Sequence, residues 1–229
     1  MSEAFLIFGH RGSPRRFPEN TLASFDEALR AGADGFETDL RILADQTAVL
    51  FHDDELGGTE IETLAAADFP GQGAAVQRLE DLASYAGRTT MVLEIKRAKW
   101  EDALLEHVSA WPNIILASFD HSTIRDLHAR GTEIPLGLTW HGQIVDAGAY
   151  AARLGATWCF PNYRFVDAET VSSLHAHGVK VVPWTPNRVR EWEQLREAGC
   201  DGIITDLPAE AVAWRAGPGR TSTGKRQFG

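Results

Sequence analysis

Short apolar runs alternate with amphipathic stretches along almost the whole chain. Nine of the runs read as strands: Ala4 to Gly9, Gly35 to Leu40, Thr47 to His52, Thr90 to Lys96, Ile114 to Ser118, Leu136 to Trp140, Thr157 to Pro161, Val179 to Trp184 and Gly202 to Thr205. Between most of them apolar residues recur at helical spacing. The first helix starts at about Thr21, with Asn20 placed to cap it, Leu22, Phe25, Ala28 and Leu29 on one face, and Gly32 as its stop. Further helices are predicted over Leu79 to Ala86, Trp100 to Ala110, Ser122 to Arg130, Val145 to Leu154, Ala168 to His177, Val189 to Ala198 and Ala209 to Ala213. Several close on glycine, as at Gly131, Gly155, Gly178 and Gly199, where a left-handed residue ends a helix. This alternation predicts a parallel sheet covered by helices. Eight strands are expected to close a TIM-type (β/α)8 barrel, with one of the early pair partly outside it.

Polar residues collect where the predicted strands end. His10, Glu37 with Asp39, His52, Glu94 with Lys96, Ser118, Trp140, Asn162, Trp184 and Asp206 all fall at or near strand carboxyl ends. In parallel barrels that rim carries the active site. An open doubly wound sheet would bind its ligand at a switch point, and no glycine-rich dinucleotide fingerprint follows any strand here.

Glu37 and Asp39 lie two apart in a strand, so both carboxylates project from one side. Two like charges side by side are costly to bury unless a counter-charge or metal compensates them. Glu94 and Lys96 repeat the spacing in MVLEIK, a run too apolar for a surface strand. Glu37, Asp39 and Glu94 form an all-oxygen set suited to one hard divalent cation, Mg²⁺ or Ca²⁺, and not to zinc. A second reading makes the carboxylates ion-pair partners of Arg11 and Lys96 without metal. With a divalent ion, the three carboxylates and these two cations sum to a charge of about +1, which suits one phosphodiester.

At 229 residues and 44% hydrophobic content the chain can bury one large core, expected over residues 1–216, with a disordered polar tail over 217–229. Its longest apolar runs are far short of the roughly 20 residues of a membrane span. The start MSEAFLIFGH lacks the basic segment of a signal peptide, so a cytoplasmic protein is expected. Cys159 and Cys200 are too few and isolated for a disulfide framework and read as small core residues. The net charge of -10 argues against nucleic acid or an anionic membrane surface as main partner. A small anionic substrate fits only where local positive charge outweighs that field.

The string HRGSPRRFPENTLASFDEALRAGADGFETDLRILADQTAVLFHDD, followed in order by EIK, SFD, PWTPN and DGIITDLP, resembles the glycerophosphodiester phosphodiesterase family from His10 to Pro208. The resemblance implies a TIM-type barrel of phospholipase C-like phosphodiesterase architecture, with a short insertion after the second strand. It also implies metal-dependent hydrolysis of glycerophosphodiesters to glycerol 3-phosphate and an alcohol. Matched position by position, it puts the general acid and base on His10 and His52 and the metal ligands on Glu37, Asp39 and Glu94. Arg11 and Lys96 match phosphate-contacting positions, and Trp184 an aromatic that lines the pocket.

Two departures stand out. The segment after Asp53, DELGGTEIETLAAADFPGQG, lacks an arginine usual in the family and is compact, and PWTPN carries Pro183 and Pro186, which stiffen that loop. Lysophospholipid cleavage in the manner of a phospholipase D is the nearest rival activity, and would call for an apolar groove after Asp53. A non-catalytic barrel that binds a phosphate ester is a rival of another class, for which a paired acid and base has no use. Of the remaining histidines, His175 and His177 suit a helix carboxyl end, His141 is a candidate for the rim, and His107, His121 and His128 are expected to face away from it.

Overall fold

The computed structural model describes residues 4–69, 76–97 and 99–217. The tail expectation beyond Gly217 lies outside the described residues. In chain order the main elements are β1 (Leu6–Gly9), α1 (Leu22–Arg30), β2 (Gly35–Ile42), β3 (Ala48–Leu50), β4 (Glu55–Leu56), β5 (Thr59–Glu60), β6 (Thr90–Ile95), α2 (Glu101–Val108), β7 (Ile114–Ser118), α3 (His121–Ala129), β8 (Leu136–Trp140), α4 (Ala147–Arg153), β9 (Trp158–Pro161), α5 (Ala168–His175), β10 (Lys180–Val181), α6 (Val189–Glu197), β11 (Gly202–Thr205) and α7 (Pro208–Ala216).

The eight strands β10, β9, β8, β7, β6, β2, β1 and β11 lie side by side in that order, every pair parallel. The wall closes between its two ends, where Asp201 N donates to Val181 O and Ile204 N to Pro183 O, both at 2.9 Å. The regular ladder of β10 is short because Pro183 has no N–H to give, yet its carbonyl still serves the closure. β3 pairs antiparallel with the far end of β2 and stands outside the barrel, as the count of nine strands required.

Inward positions alternate along every strand, and two layers of core result. Phe8, Val92, Ile115, Ala117, Phe160, Val182 and Ile204 fill the barrel interior. Gly137 leaves room there for Phe160, whose ring carbon would lie 2.5 Å from an added Cβ. A larger layer, including Phe25, Phe36, Leu93, Leu116 and Trp192, lies between strands and helices. Trp100 and Trp192 are buried, and Trp111 and Trp214 pack against this layer, as expected. Cys159 and Cys200 are buried free thiols within it, and burial pushes both pKa values up, that of Cys200 to about 12.

Three local expectations are corrected. Leu79 to Ala86 is not an α-helix: residues Leu79–Tyr85 form a 3₁₀ helix, because the buried Leu79, Leu82 and Tyr85 repeat every three residues, the 3₁₀ period. Thr21, not Asn20, caps α1 by accepting from Ser24 N, since Asn20 is left-handed (φ 55°) and sends its side chain elsewhere. His121 does not face away from the rim. Helix side chains lean toward the amino end, and its Nε2 donates to Thr139 O at 2.9 Å while Nδ1 accepts from the Tyr150 hydroxyl at 2.8 Å.

Candidate active site

Most of the candidate residues continue the inward alternation of a strand above the packed interior. On β1 His10 follows Phe8, on β6 Glu94 follows Val92, and on β2 Glu37 and Asp39 follow Gly35 on the same face. Trp184 stands above Val182. His52 arrives differently, at the end of the β2–β3 hairpin, where Phe51 N donates to Asp39 O at 3.1 Å. The structure brings all eight candidates, His10, Arg11, Glu37, Asp39, His52, Glu94, Lys96 and Trp184, onto one cavity of about 120 Å³ at the carboxyl end of the barrel.

Asp39 and Glu94 are direct partners across the β2–β6 ladder. One oxygen from each of Glu37, Asp39 and Glu94 lies within 4.8 Å of the others, and all three side chains are buried. Lys96 Nζ lies 2.7 Å from Asp39 Oδ1 and also contacts Glu94 Oε1. Arg11 Nε is 3.1 Å from Asp39 Oδ2 without hydrogen-bond geometry, so it contributes charge there and no directed bond. Its Nη1 donates to Glu19 Oε1 at 2.8 Å and its backbone N to Glu37 Oε2 at 3.0 Å. That last bond depends on a left-handed Arg11 (φ 51°) followed by Gly12, where an added Cβ would strike the α1 backbone at Ser24 C, 2.5 Å away.

The charges do not balance evenly. Burial, and then the Asp39 carboxylate, push the Glu37 carboxyl well above its ordinary range. Burial lifts Glu94 as well, against the pull of Lys96. Asp39 goes the other way: Lys96, Arg11 and the Asn20 amide outweigh burial and hold it below the usual range. Two carboxyl groups pushed upward by burial and crowding, beside a third held low by its cations, are an oxygen donor set short of positive charge. Such a set could hold a divalent cation.

His10 Nδ1 donates to Asp206 Oδ1 at 2.7 Å. Burial lowers the His10 pKa, but this hydrogen bond and the Glu37 charge outweigh it and leave the value raised. His52 is partly exposed, its Nδ1 2.8 Å from Asp53 Oδ1. Trp184 donates from Nε1 to Phe160 O at 2.8 Å and meets Phe119 edge-on at 5.4 Å, forming an aromatic side to the cavity. His141 packs against Phe165 at 5.0 Å and Trp184 at 6.4 Å, at the rim but not on the cavity. His175 donates to Asp201 Oδ2 at 2.9 Å instead of to the end of its own helix, while His177 meets Ser173 O at 2.9 Å as a helix-end histidine should.

Four further residues support the site. Asn20 donates to Asp39 Oδ2 at 2.8 Å and accepts from Thr38 Oγ1 at 2.8 Å. Asp206 and Asn187 stand behind His10. Arg41, two residues beyond Asp39 and buried, donates to His52 O from Nη2 at 2.8 Å and from Nε at 3.2 Å. The continuing two-residue spacing Glu37, Asp39, Arg41 was the signal that could have found it.

A profile of the Glycerophosphoryl diester phosphodiesterase family matches residues 10–72 and 76–210. A glycerophosphodiester phosphodiesterase of Caldanaerobacter subterraneus subsp. tengcongensis is 29% identical over 233 residues, covering 90% of this chain and 96% of the relative. The fold is shared with a phosphodiesterase of Oleispira antarctica solved in complex with the product sn-glycerol-3-phosphate, with TM-score 0.83, 24% identity and coverage of 92% of this chain and 96% of that one. It is shared too with a glycerophosphodiester phosphodiesterase of Thermotoga maritima, with TM-score 0.81, 22% identity and coverage of 93% and 100%. With the family match running from His10 to Glu210, over most of the chain, the chain belongs to the glycerophosphoryl diester phosphodiesterase family and is an enzyme of that class.

Proposed function

We propose that the chain hydrolyses small glycerophosphodiesters to sn-glycerol 3-phosphate and an alcohol, using one divalent cation, Mg²⁺ or Ca²⁺, held by Glu37, Asp39 and Glu94. The observation that carries this reading is the opening of that buried triad, two cations and two histidines onto a single cavity. When bound, the ion supplies stabilisation of negative charge on the phosphoryl oxygens.

The chain's own groups account for the rest. Arg11 and Lys96 set positive charge beside the same oxygens and orient the ester. One of His10 and His52 takes the proton of the attacking hydroxyl, and the other gives one to the leaving alkoxide. The face of Trp184 packs against the carbon side of the glycerol or alcohol. The product found with the Oleispira antarctica protein supports glycerol 3-phosphate as the retained half.

The apolar residues of the insertion do not favour the lysophospholipid reading. Among the described residues, Leu56, Leu64 and Phe69 pack against the buried Leu43, Val49 and Ile61, which commits much of their apolar surface to a local core. The cytoplasmic expectation stays with this proposal; among the described residues no helix is long and apolar enough to cross a membrane.

The test is release of glycerol 3-phosphate from glycerophosphocholine and glycerophosphoethanolamine by purified protein. EDTA should abolish it, and Mg²⁺ or Ca²⁺ should restore it. His10→Ala should keep the metal and lose turnover, and a near-normal rate in that variant would sink the acid–base assignment. Tight binding of phosphate esters without hydrolysis under any metal would turn the reading into a binding barrel.

A further inference from the structure

The stiff loop PWTPN and the terminal motif DGIITD meet behind His10. β1 and β11 are parallel neighbours with Gly9 opposite Thr205, and His10 N donates to Thr205 O at 2.9 Å, so the next inward residue of each strand, His10 and Asp206, stand side by side. Both oxygens of Asp206 are engaged: Oδ1 accepts from His10 Nδ1 at 2.7 Å, and Oδ2 from Asn187 Nδ2 at 2.7 Å. Asn187 is fixed in turn. Its Oδ1 accepts from Thr205 Oγ1 and from Asp206 N, each at 2.9 Å, and its N donates to Glu191 Oε2 at 2.8 Å. Pro186 O is held by Trp192 Nε1 at 2.8 Å. The amide thus bridges the backbone and the carboxylate of Asp206 and turns Oδ1 toward His10, while the exposed Arg15 Nη2 lies 3.7 Å from Oδ2.

We infer that Asp206 and Asn187 are positioning residues for His10, holding its ring through Nδ1 so that Nε2 is the nitrogen presented to the cavity. An ionised carboxylate has no proton to donate, so the shared proton is on Nδ1 and the neutral ring is kept in one tautomer. The two prolines of the loop then have a role that substrate contact does not explain: they limit the freedom of Asn187, and with it that of the ring. The inference rests on His10 being a proton-transfer group, as proposed above, for its effect on rate, but not for the tautomer.

The two parts separate by experiment. ¹⁵N NMR of histidine-labelled protein, with His10 assigned by its loss in His10→Ala, should show a proton on Nδ1 and none on Nε2 at a pH where the ring is neutral. A neutral ring protonated on Nε2 would overturn the inference, whether or not the protein turns over substrate. In Asp206→Asn the amide can donate to Nδ1, so the tautomer should invert or mix. There kcat should fall by about 10²- to 10⁴-fold, the range for a misassigned catalytic imidazole, with KM and metal affinity within about threefold. Asn187→Ala, which leaves the carboxylate but frees it, should give a smaller fall in the same sense. Wild-type rates with either an unchanged tautomer or an inverted one in Asp206→Asn would refute the positioning role. A wild-type enzyme without activity but with Nδ1 protonated would sink the proposed function and leave the ring geometry standing.

Discussion

Replacing Arg41 by methionine removes a guanidinium that is only 3% exposed. Its partners are unequal. Asp54, 2.5 Å away, is 79% exposed and returns to water at little cost. Glu62, at 2.6 Å, is 16% exposed, its Oε2 lacks a partner among the described residues, and Arg97 at 3.4 Å stays near it. The His52 carbonyl loses two charge-assisted donors together. Hydrogen bonds to a charged group contribute about 1.5–3 kcal/mol, and orphaning one side of a buried pair costs about 3–5 kcal/mol. Removing the desolvated guanidinium and packing the methionine stem offset part of this, which leaves a net loss of about 2–4 kcal/mol. For a chain of this length that is a fall of about 5–15 °C in Tm. Since the lost donors hold the main chain of His52, kcat should also fall by about 10- to 100-fold, the scale of a 1 Å misplacement, with metal affinity kept. Thermal melts with and without metal, run beside glycerol 3-phosphate release, measure both. A Tm within about 2 °C of wild type together with an unchanged kcat would refute the reasoning. Asp54→Asn is the matched control and should change neither.

Three further outcomes follow from the same geometry. Glu37→Gln should lose metal binding by calorimetry and lose turnover, yet melt higher than wild type in EDTA. Because the folded pKa of Glu37 is raised, its contribution is fully present below the unfolded value of about 4.3 and is lost as pH rises through the raised one; the amide has no proton to lose, so the gap in Tm should widen toward alkaline pH, and a gap that is flat or reversed would contradict the crowding. Trp184→Ala should raise KM by about 5- to 20-fold with kcat within about threefold, so a fall confined to kcat would mean the ring does not act in binding. Gly35→Ala would place a Cβ 1.9 Å from Thr90 O in the β2–β6 ladder, so its urea midpoint and its metal affinity should fall together, the former by the equivalent of at least about 1–3 kcal/mol.

The barrel was legible because strand-end polarity and the two-residue spacing of carboxylates are local properties. Glu37 with Asp39 and Glu94 with Lys96 needed no knowledge of what lies across the ladder. What escaped depends on closure or on a choice between neighbours. Asp206 and His10 are 196 positions apart and meet only when β1 and β11 pair. Asn20 and Thr21 are both good caps, and the left-handed turn at Asn20 gives the cap to the second and frees the first for Asp39. His121 stands one residue before the predicted start at Ser122 and is the first residue of α3, where the lean of the side chain carries the ring back to the strand end.

The register of β6 against β2 does more than join two strands. Asp39 faces Glu94 because the ladder is set there and nowhere else, and a slip of one residue would turn Glu94 into the helix layer and bring Leu93 or Ile95 into the mouth. An ion bound by the triad therefore recognises one alignment of segments that lie far apart in the chain. By mass action, each tenfold of free ion above its dissociation constant adds about 1.4 kcal/mol to that alignment and nothing to a slipped one. The ion proposed for the reaction would then also act as a proofreader of the barrel, so that a chain able to hold it is, by that fact, correctly assembled.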